Sequence, residues 1–174
     1  MNNIQENNDE NPRSVHSTQK CYVRFVNMTE RTVEIMWINF IGQYVRYRIL
    51  EKGNFIDVNT YKTHPWTAKD FLTKDELHID KRFFYHPKTT REFIQLRYPD
   101  RNNYPENHEA RVRAYITLPM YSLRFLSLLT VRNHILKEDD VEQLSLPKNI
   151  SDDLKRAVTK RNRECSLQAL SRQL

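Results

Sequence analysis

From Cys21 onward the chain alternates apolar and polar side chains with a period of two. Cys21, Val23 and Phe25 fall on one side of the first run, with Tyr22 and Arg24 on the other. After a turn at Asn27–Glu30, Val33, Ile35 and Trp37 alternate with Thr32, Glu34 and Met36. Beyond Gly42, Val45, Tyr47 and Ile49 alternate with Tyr44, Arg46 and Arg48. Beyond Gly53, Ile56, Val58 and Thr60 alternate with Phe55, Asp57 and Asn59. Successive side chains on a strand point to opposite faces. Short runs of this kind, spaced about ten residues apart with turn residues between them, predict an antiparallel sandwich or barrel. The pattern weakens over residues 67–110, where strands are expected at Lys81–His86 and Phe93–Arg97 and a polar, mobile loop at Pro99–His108. Val112, Ala114, Ile116 and Leu118 restore the alternation and close the β part.

Pro119 begins a different pattern. From Tyr121 to Leu136 there is neither Gly nor Pro, and leucine is abundant, so a helix is expected with Pro119 near its start, where a missing N–H costs nothing. A short acidic helix at about 138–144, ended by Pro147, should precede a last helix from Ser151. There Ser151 would be the N-cap, with Asp152 and Asp153 in the first turn. Strands followed by helices predict an α+β chain. The expected parts are a disordered N-terminus at 1–12, an antiparallel β-sandwich at 13–118 and a small three-helix domain at 119–174.

The first of these helices carries two apolar stripes. Leu123, Leu126, Ser127, Thr130, Val131 and His134 lie on one; Phe125, Leu128, Leu129, Arg132 and Leu136 lie on the other. A surface helix needs only one apolar stripe. Either the helix is sandwiched inside the protein, or one stripe faces another protein. The second reading is favoured, with the small Ser127 and Thr130 admitting a partner beside Leu123.

Composition excludes several chemistries. Two glycines, Gly42 and Gly53, leave no phosphate loop, and six histidines without helical pairing, with Cys21 and Cys165 far apart, give no metal motif. No cofactor is expected. The two cysteines read as free thiols in a reducing compartment. No apolar run suits a signal peptide or a membrane span, so a cytoplasmic and nuclear protein is expected. The net charge of +6 is modest and mixed in sign; the cluster Lys155, Arg156, Lys160, Arg161 and Arg163 reads as a solvated helix face.

The string Ser122-Leu123-x-x-x-Ser127-x-x-x-Val131 is similar to the box by which cullin-ligase adaptors hold Elongin C. With the preceding Ile116-Thr117-Leu118-Pro119-Met120-Tyr121 it resembles the von Hippel–Lindau tumour suppressor family. Trp37-Ile38-Asn39-Phe40-Ile41-Gly42, Tyr47 and Thr60-Tyr61-x-x-His64-x-Trp66 resemble that family's substrate-binding face, in the same order. The resemblance covers residues 13–70 and 114–163. Thr60 stands where serine is usual and keeps the hydroxyl, Ser127 stands where cysteine is common, and the segment from Asp70 to Ala114 is longer than the family norm.

The resemblance implies a non-catalytic substrate receptor of a cullin-RING ubiquitin ligase. Hydroxylated proline of hypoxia-inducible factor α would bind at Trp37, Tyr47, Asn59, Thr60, Tyr61, His64 and Trp66. Elongin C, with Elongin B, would bind at Leu118, Ser122, Leu123, Leu126, Ser127 and Val131, and Arg124 would touch the cullin that carries the RING subunit. Two other readings remain: a basic β-sheet binder of single-stranded nucleic acid using Arg24, Arg46, Arg48, Tyr22 and Tyr44, and a scaffold that docks partners without reading a hydroxyl.

Overall fold

The structure is a computed structural model that describes residues 12–100 and 110–170, with side chains through Ser166. Residues 1–11, most of the loop expected at 99–108 and the end of the Cys165–Leu174 tail lie outside the described residues.

Alternation holds where a strand has one covered face. β1 (Lys20–Asn27) buries Cys21, Val23, Phe25 and Asn27, and β4 (Phe55–Tyr61) buries Val58 and Thr60 with Ile56 half-buried beside them. β7 (Val112–Thr117) buries Val112, Ala114 and Ile116. β2 (Val33–Ile38) departs from the pattern. Both its faces are covered, so Glu34 and Met36 are buried with Val33 and Ile35. The Glu34 carboxylate is enclosed and accepts from Arg46 Nε at 2.9 Å, as a buried charge requires. β3 (Tyr44–Leu50) is an end strand that buries only Leu50, and a bulge opposite Ile35 and Met36 shifts its register there.

Two further strands, β5 (Trp66–Asp70) and β6 (Glu76–Ile79), complete a seven-stranded sheet in the order β3-β2-β5-β6-β7-β1-β4. β6 pairs with β5 through Glu76 and Leu77 and with β7 through His78 and Ile79, so the sheet turns a corner there. Side chains from all seven strands meet in one core around Phe25, Trp66 and Tyr85. The sheet is not wholly antiparallel as expected: β1 and β7 run parallel, joined by the long connection that such a pair requires.

Two expected strands are absent. Residues 81–86 touch the sheet only by isolated bridges, Trp66 with Tyr85 and Ile79 with Arg82. The segment expected to be a strand at Phe93–Arg97 belongs to a helix, α1 (Thr90–Arg97). Its N-cap Thr89 accepts from the Glu92 N–H at 3.2 Å while the Glu92 carboxylate accepts from the Thr89 N–H at 3.2 Å. This reciprocal capping box satisfies two N–H groups that a helix start leaves open, and it outweighs the local β-like composition.

By its contacts the chain divides into two units. One runs to Phe71 and resumes over Glu76–Leu118; the other joins Leu72–Asp75 to the chain from Pro119 onward. In the second unit α2 (Leu123–Asn133) is capped by Ser122, whose Oγ accepts from the Phe125 N–H at 3.3 Å. Pro119 therefore stands before the helix and not in its first turn. A 3-10 helix (Glu138–Leu144) follows. α3 (Lys148–Leu170) then starts directly after Pro147, whose carbonyl accepts from the N–H groups of Ile150 and Ser151. Ser151 is thus inside α3 and is not its cap. Arg161 is also more than part of a solvated face, because it donates to the carbonyls of Arg132 and Ile135 at 2.6 Å each, closing the end of α2.

The core of this unit is small: Ile135, Val141, Leu154 and Val158, with Leu128 and Leu146 half-buried against them. At about 1.5–3 kcal/mol for each fully buried aliphatic side chain, polar contacts weigh heavily here. Arg132 makes a two-pronged bond to Asp75 at 2.6 and 2.8 Å, with both side chains nearly enclosed. Removing one partner leaves the other charge enclosed without it, at a cost of about 3–5 kcal/mol. Arg132→Met should therefore speed amide exchange in α2 and α3 by the equivalent of about 3 kcal/mol. Unchanged exchange would show that the pair is a solvated contact of little weight.

Candidate functional site

Pairing of β2 with β5 sets Trp37 directly opposite Trp66. The turn between β2 and β3 closes through Asn39, whose side-chain Oδ1 accepts from the N–H groups of Ile41 and Gln43. Gly42 supplies the positive φ of 80° that this turn needs. Phe40 projects from it. The segment at 13–16 is extended and tied on both sides: Ser14 N–H donates to the Asn39 carbonyl at 3.1 Å, and Val15 N–H to the Thr63 carbonyl at 3.3 Å.

These segments assemble an aromatic cluster. Trp37 lies 5.5 Å from His64 and 5.8 Å from Phe40, centroid to centroid; Phe40 lies 5.5 Å from His64 and stacks on His16 at 4.7 Å. Tyr61 packs against His64 at 5.1 Å, and the edge of Tyr47 meets Trp66 at 5.2 Å. Trp37 Nε1 donates to Ser14 Oγ at 2.7 Å, which fixes the plane of the indole. Trp66 is buried; its Nε1 donates to the buried Thr60 Oγ1 at 3.2 Å. The Thr60 oxygen is therefore used as an acceptor, and its own proton is left to donate elsewhere.

Of the residues expected here, Trp37, Tyr61 and His64 form one group of contacts and Tyr47, Thr60 and Trp66 another, and the pairing of Trp37 with Trp66 joins the two. Asn59 points to the opposite face of β4 from Thr60. β4 ends the strand order and is hydrogen-bonded only to β1 among the described residues, while β3, at the other end of the order, approaches its second edge without a ladder. Ser14, His16 and Phe40 were not among the expected binding residues, although Phe40 stands in the string Trp37–Gly42 that marks this face and Ser14–Ser17 matches the family loosely. The signal for Ser14 and His16 was an alternation of only four residues, Ser14-Val15-His16-Ser17, with no apolar face to mark it. Phe40 lay in a turn, where periodicity is silent.

Burial pushes the His64 imidazole below the ordinary histidine value, and the charge of nearby His16 pushes it the same way. A neutral ring offers one donor and one acceptor, which suits a hydroxyl.

The second candidate surface is on α2. Leu123 is 80% exposed, and Leu126, Ser127, Thr130 and Val131 are exposed along the same stripe. On the other side Leu128 and Leu129 are half-buried and Arg132 is buried, so the middle of that stripe faces inward, while Phe125 and Leu136 at its ends are exposed. Ser122 serves as the helix cap, Leu118 is exposed at the end of the first unit, and Arg124 is held by Asp153 at 2.5 Å. The arginines of the nucleic-acid reading are largely neutralised. Arg24 is paired two-pronged with Asp57 and Arg46 with Glu34, which leaves Arg48 without an ion pair among the described residues.

The sequence profile described as the VHL beta domain matches residues 12–92. Protein Vhl of Drosophila melanogaster is 28% identical over 138 residues, covering 77% of this chain and 74% of the fly protein.

The site makes one direct prediction. In an NMR titration of the full chain, His64 should titrate below the ordinary 6.5, and His16→Ala should raise its midpoint. Because the folded value lies below the unfolded one, the site's contribution to stability is complete above 6.5 and is lost as pH falls through the folded value. A midpoint at or above 6.5 in the native chain would contradict the enclosure of the ring.

Proposed function

This chain belongs to the VHL family, and from that premise we propose that it is the substrate receptor of an Elongin–cullin ubiquitin ligase, reading hydroxylated proline in hypoxia-inducible factor α. Family members are substrate adaptors and not enzymes. The observation that carries the reading is the pairing of Trp37 with Trp66, which sets the ring group around His64 beside the indole that donates to the buried Thr60 hydroxyl.

Trp37, Tyr47 and Trp66 supply flat apolar walls for a proline ring at small entropic cost. The substrate hydroxyl accepts from Thr60 and donates to a ring nitrogen of His64. Plain proline would exclude water and give neither group a partner, and each buried unsatisfied group costs about 1–3 kcal/mol. A site built on such bonds rejects the analogue lacking the hydroxyl by about 10⁴ or more. The peptide runs along the second edge of β4 beside Asn59–Tyr61 as an added strand. The exposed stripe of Leu123, Leu126, Ser127 and Val131 docks Elongin C, and with it Elongin B and the cullin with its RING subunit. Bound in this way, the protein acts in the cytoplasm and nucleus and forms no covalent bond itself.

Calorimetry of the chain co-expressed with Elongins B and C tests both halves. A proline peptide from the organism's hypoxia-inducible factor should bind only when 4-hydroxylated, and Thr60→Val should abolish the preference. His64→Ala should lose the peptide and keep the Elongins, while Leu123→Asp should do the reverse. Equal binding of both peptides, or of neither, would reject the hydroxyl-reading role. Loss of both partners in both variants would point to misfolding, and overturn the two-site reading.

A further inference from the structure

The extended segment that contributes Ser14 and His16 to the aromatic cluster sends its alternate residues, Arg13 and Val15, elsewhere. They line a cavity of about 740 Å³ with Lys62, Thr63, Arg82, His86, Pro87, Lys88, Glu92 and Leu96. Among the described residues the lining holds four permanent cations against one carboxylate, a local excess of three in a chain whose whole net charge is +6. That carboxylate is engaged. Burial works against the charge of Glu92, yet Lys62 and the capping bonds to Thr89 hold it ionised below the usual range. Arg13 and Arg82 have no ion-pair partner among the described residues, and Lys88 feels Asp80 only at longer range. Charges of one sign gathered in a concave site focus the field on an incoming counter-ion. Guanidinium groups suit phosphate oxygens, which they grip in pairs. Val15, Pro87 and Leu96 add an apolar wall, and the volume is that of a small-molecule site.

We propose that this cavity binds a phosphate monoester on an apolar body, with Arg13, Arg82 and Lys88 holding the dianion and Val15, Pro87 and Leu96 covering the body. A dianion matches the excess of cations better than a single carboxylate does. The site is separate from the hydroxyproline reading and does not depend on it. The ester can come from a phosphorylated tyrosine side chain or from a free metabolite.

The test is calorimetry on the full chain with phenyl phosphate, inorganic phosphate and a short phosphotyrosine peptide as probes. Phenyl phosphate should bind saturably and more tightly than inorganic phosphate, and binding should weaken as salt screens the cations. The double variant Arg82→Ala/Lys88→Ala should weaken it at least about tenfold, the loss expected when charge-assisted bonds are removed. Arg82→Lys should retain part of the affinity. The thermal midpoint of each variant should match the native chain, since these side chains are exposed and bear on no core contact. Tighter binding of the peptide than of phenyl phosphate would assign the ester to a protein partner, and the reverse order to a metabolite; both support the site. Absence of saturable binding at low salt, equal affinity for inorganic and phenyl phosphate, or binding indifferent to the double variant would overturn it.

Discussion

The indole of Trp66 is shared by two environments that cannot be satisfied independently. On one side it packs at 5.3 Å from Phe25 in the centre of the core; on the other it gives its N–H to Thr60 and receives the edge of Tyr47. The backbone of Trp66 is bonded in both directions to Tyr85, whose ring meets Phe25 at 5.6 Å. The aromatic site therefore sits on a residue that the core has already fixed. Its floor inherits the rigidity of a close-packed interior. The rim, built from Ser14, His16 and Phe40, is tied only by a turn and an extended segment, so adjustment to a ligand belongs there.

The two units rest on different physics. The sheet encloses a core to which every strand contributes, and its stability comes chiefly from apolar burial. The helical unit has few buried apolar side chains and leans on arginines: Arg132 on Asp75, and Arg161 on the carbonyls that end α2. A segment lying between two strands, Leu72–Asp75, belongs to the helical unit and supplies the acid of that first bond. Charge-assisted bonds of this kind demand geometry, and they fail together when one member is lost.

Sequence reading succeeded where a single physical rule governed a segment. β1, β4 and β7 each bury one face, so period two was visible in Cys21, Val23 and Phe25 and again in Val112, Ala114 and Ile116. β5 was missed because four of its five residues, Trp66, Thr67, Ala68 and Asp70, are buried and no alternation survives. α1 was taken for a strand although Thr89 and Glu92 spell a capping box; the error was to weigh Phe93 and Ile94 above the cap. The parallel pairing of β1 with β7 depends on residues 89 positions apart and leaves no local trace. At the site, the large aromatic residues were legible because few roles suit them. The part played by Ser14 and His16 was not, since their place follows from how the Asn39 turn and the segment at 13–16 meet.

The stripe on α2 also bears on how much of this protein a cell can hold. A helix that keeps Leu123, Leu126 and Val131 in water displays the kind of surface by which quality-control factors recognise unassembled subunits. Anything that covers the stripe draws molecules out of that fate by mass action. If a partner covers the stripe, the level of the chain would follow that partner's supply more closely than its own rate of synthesis.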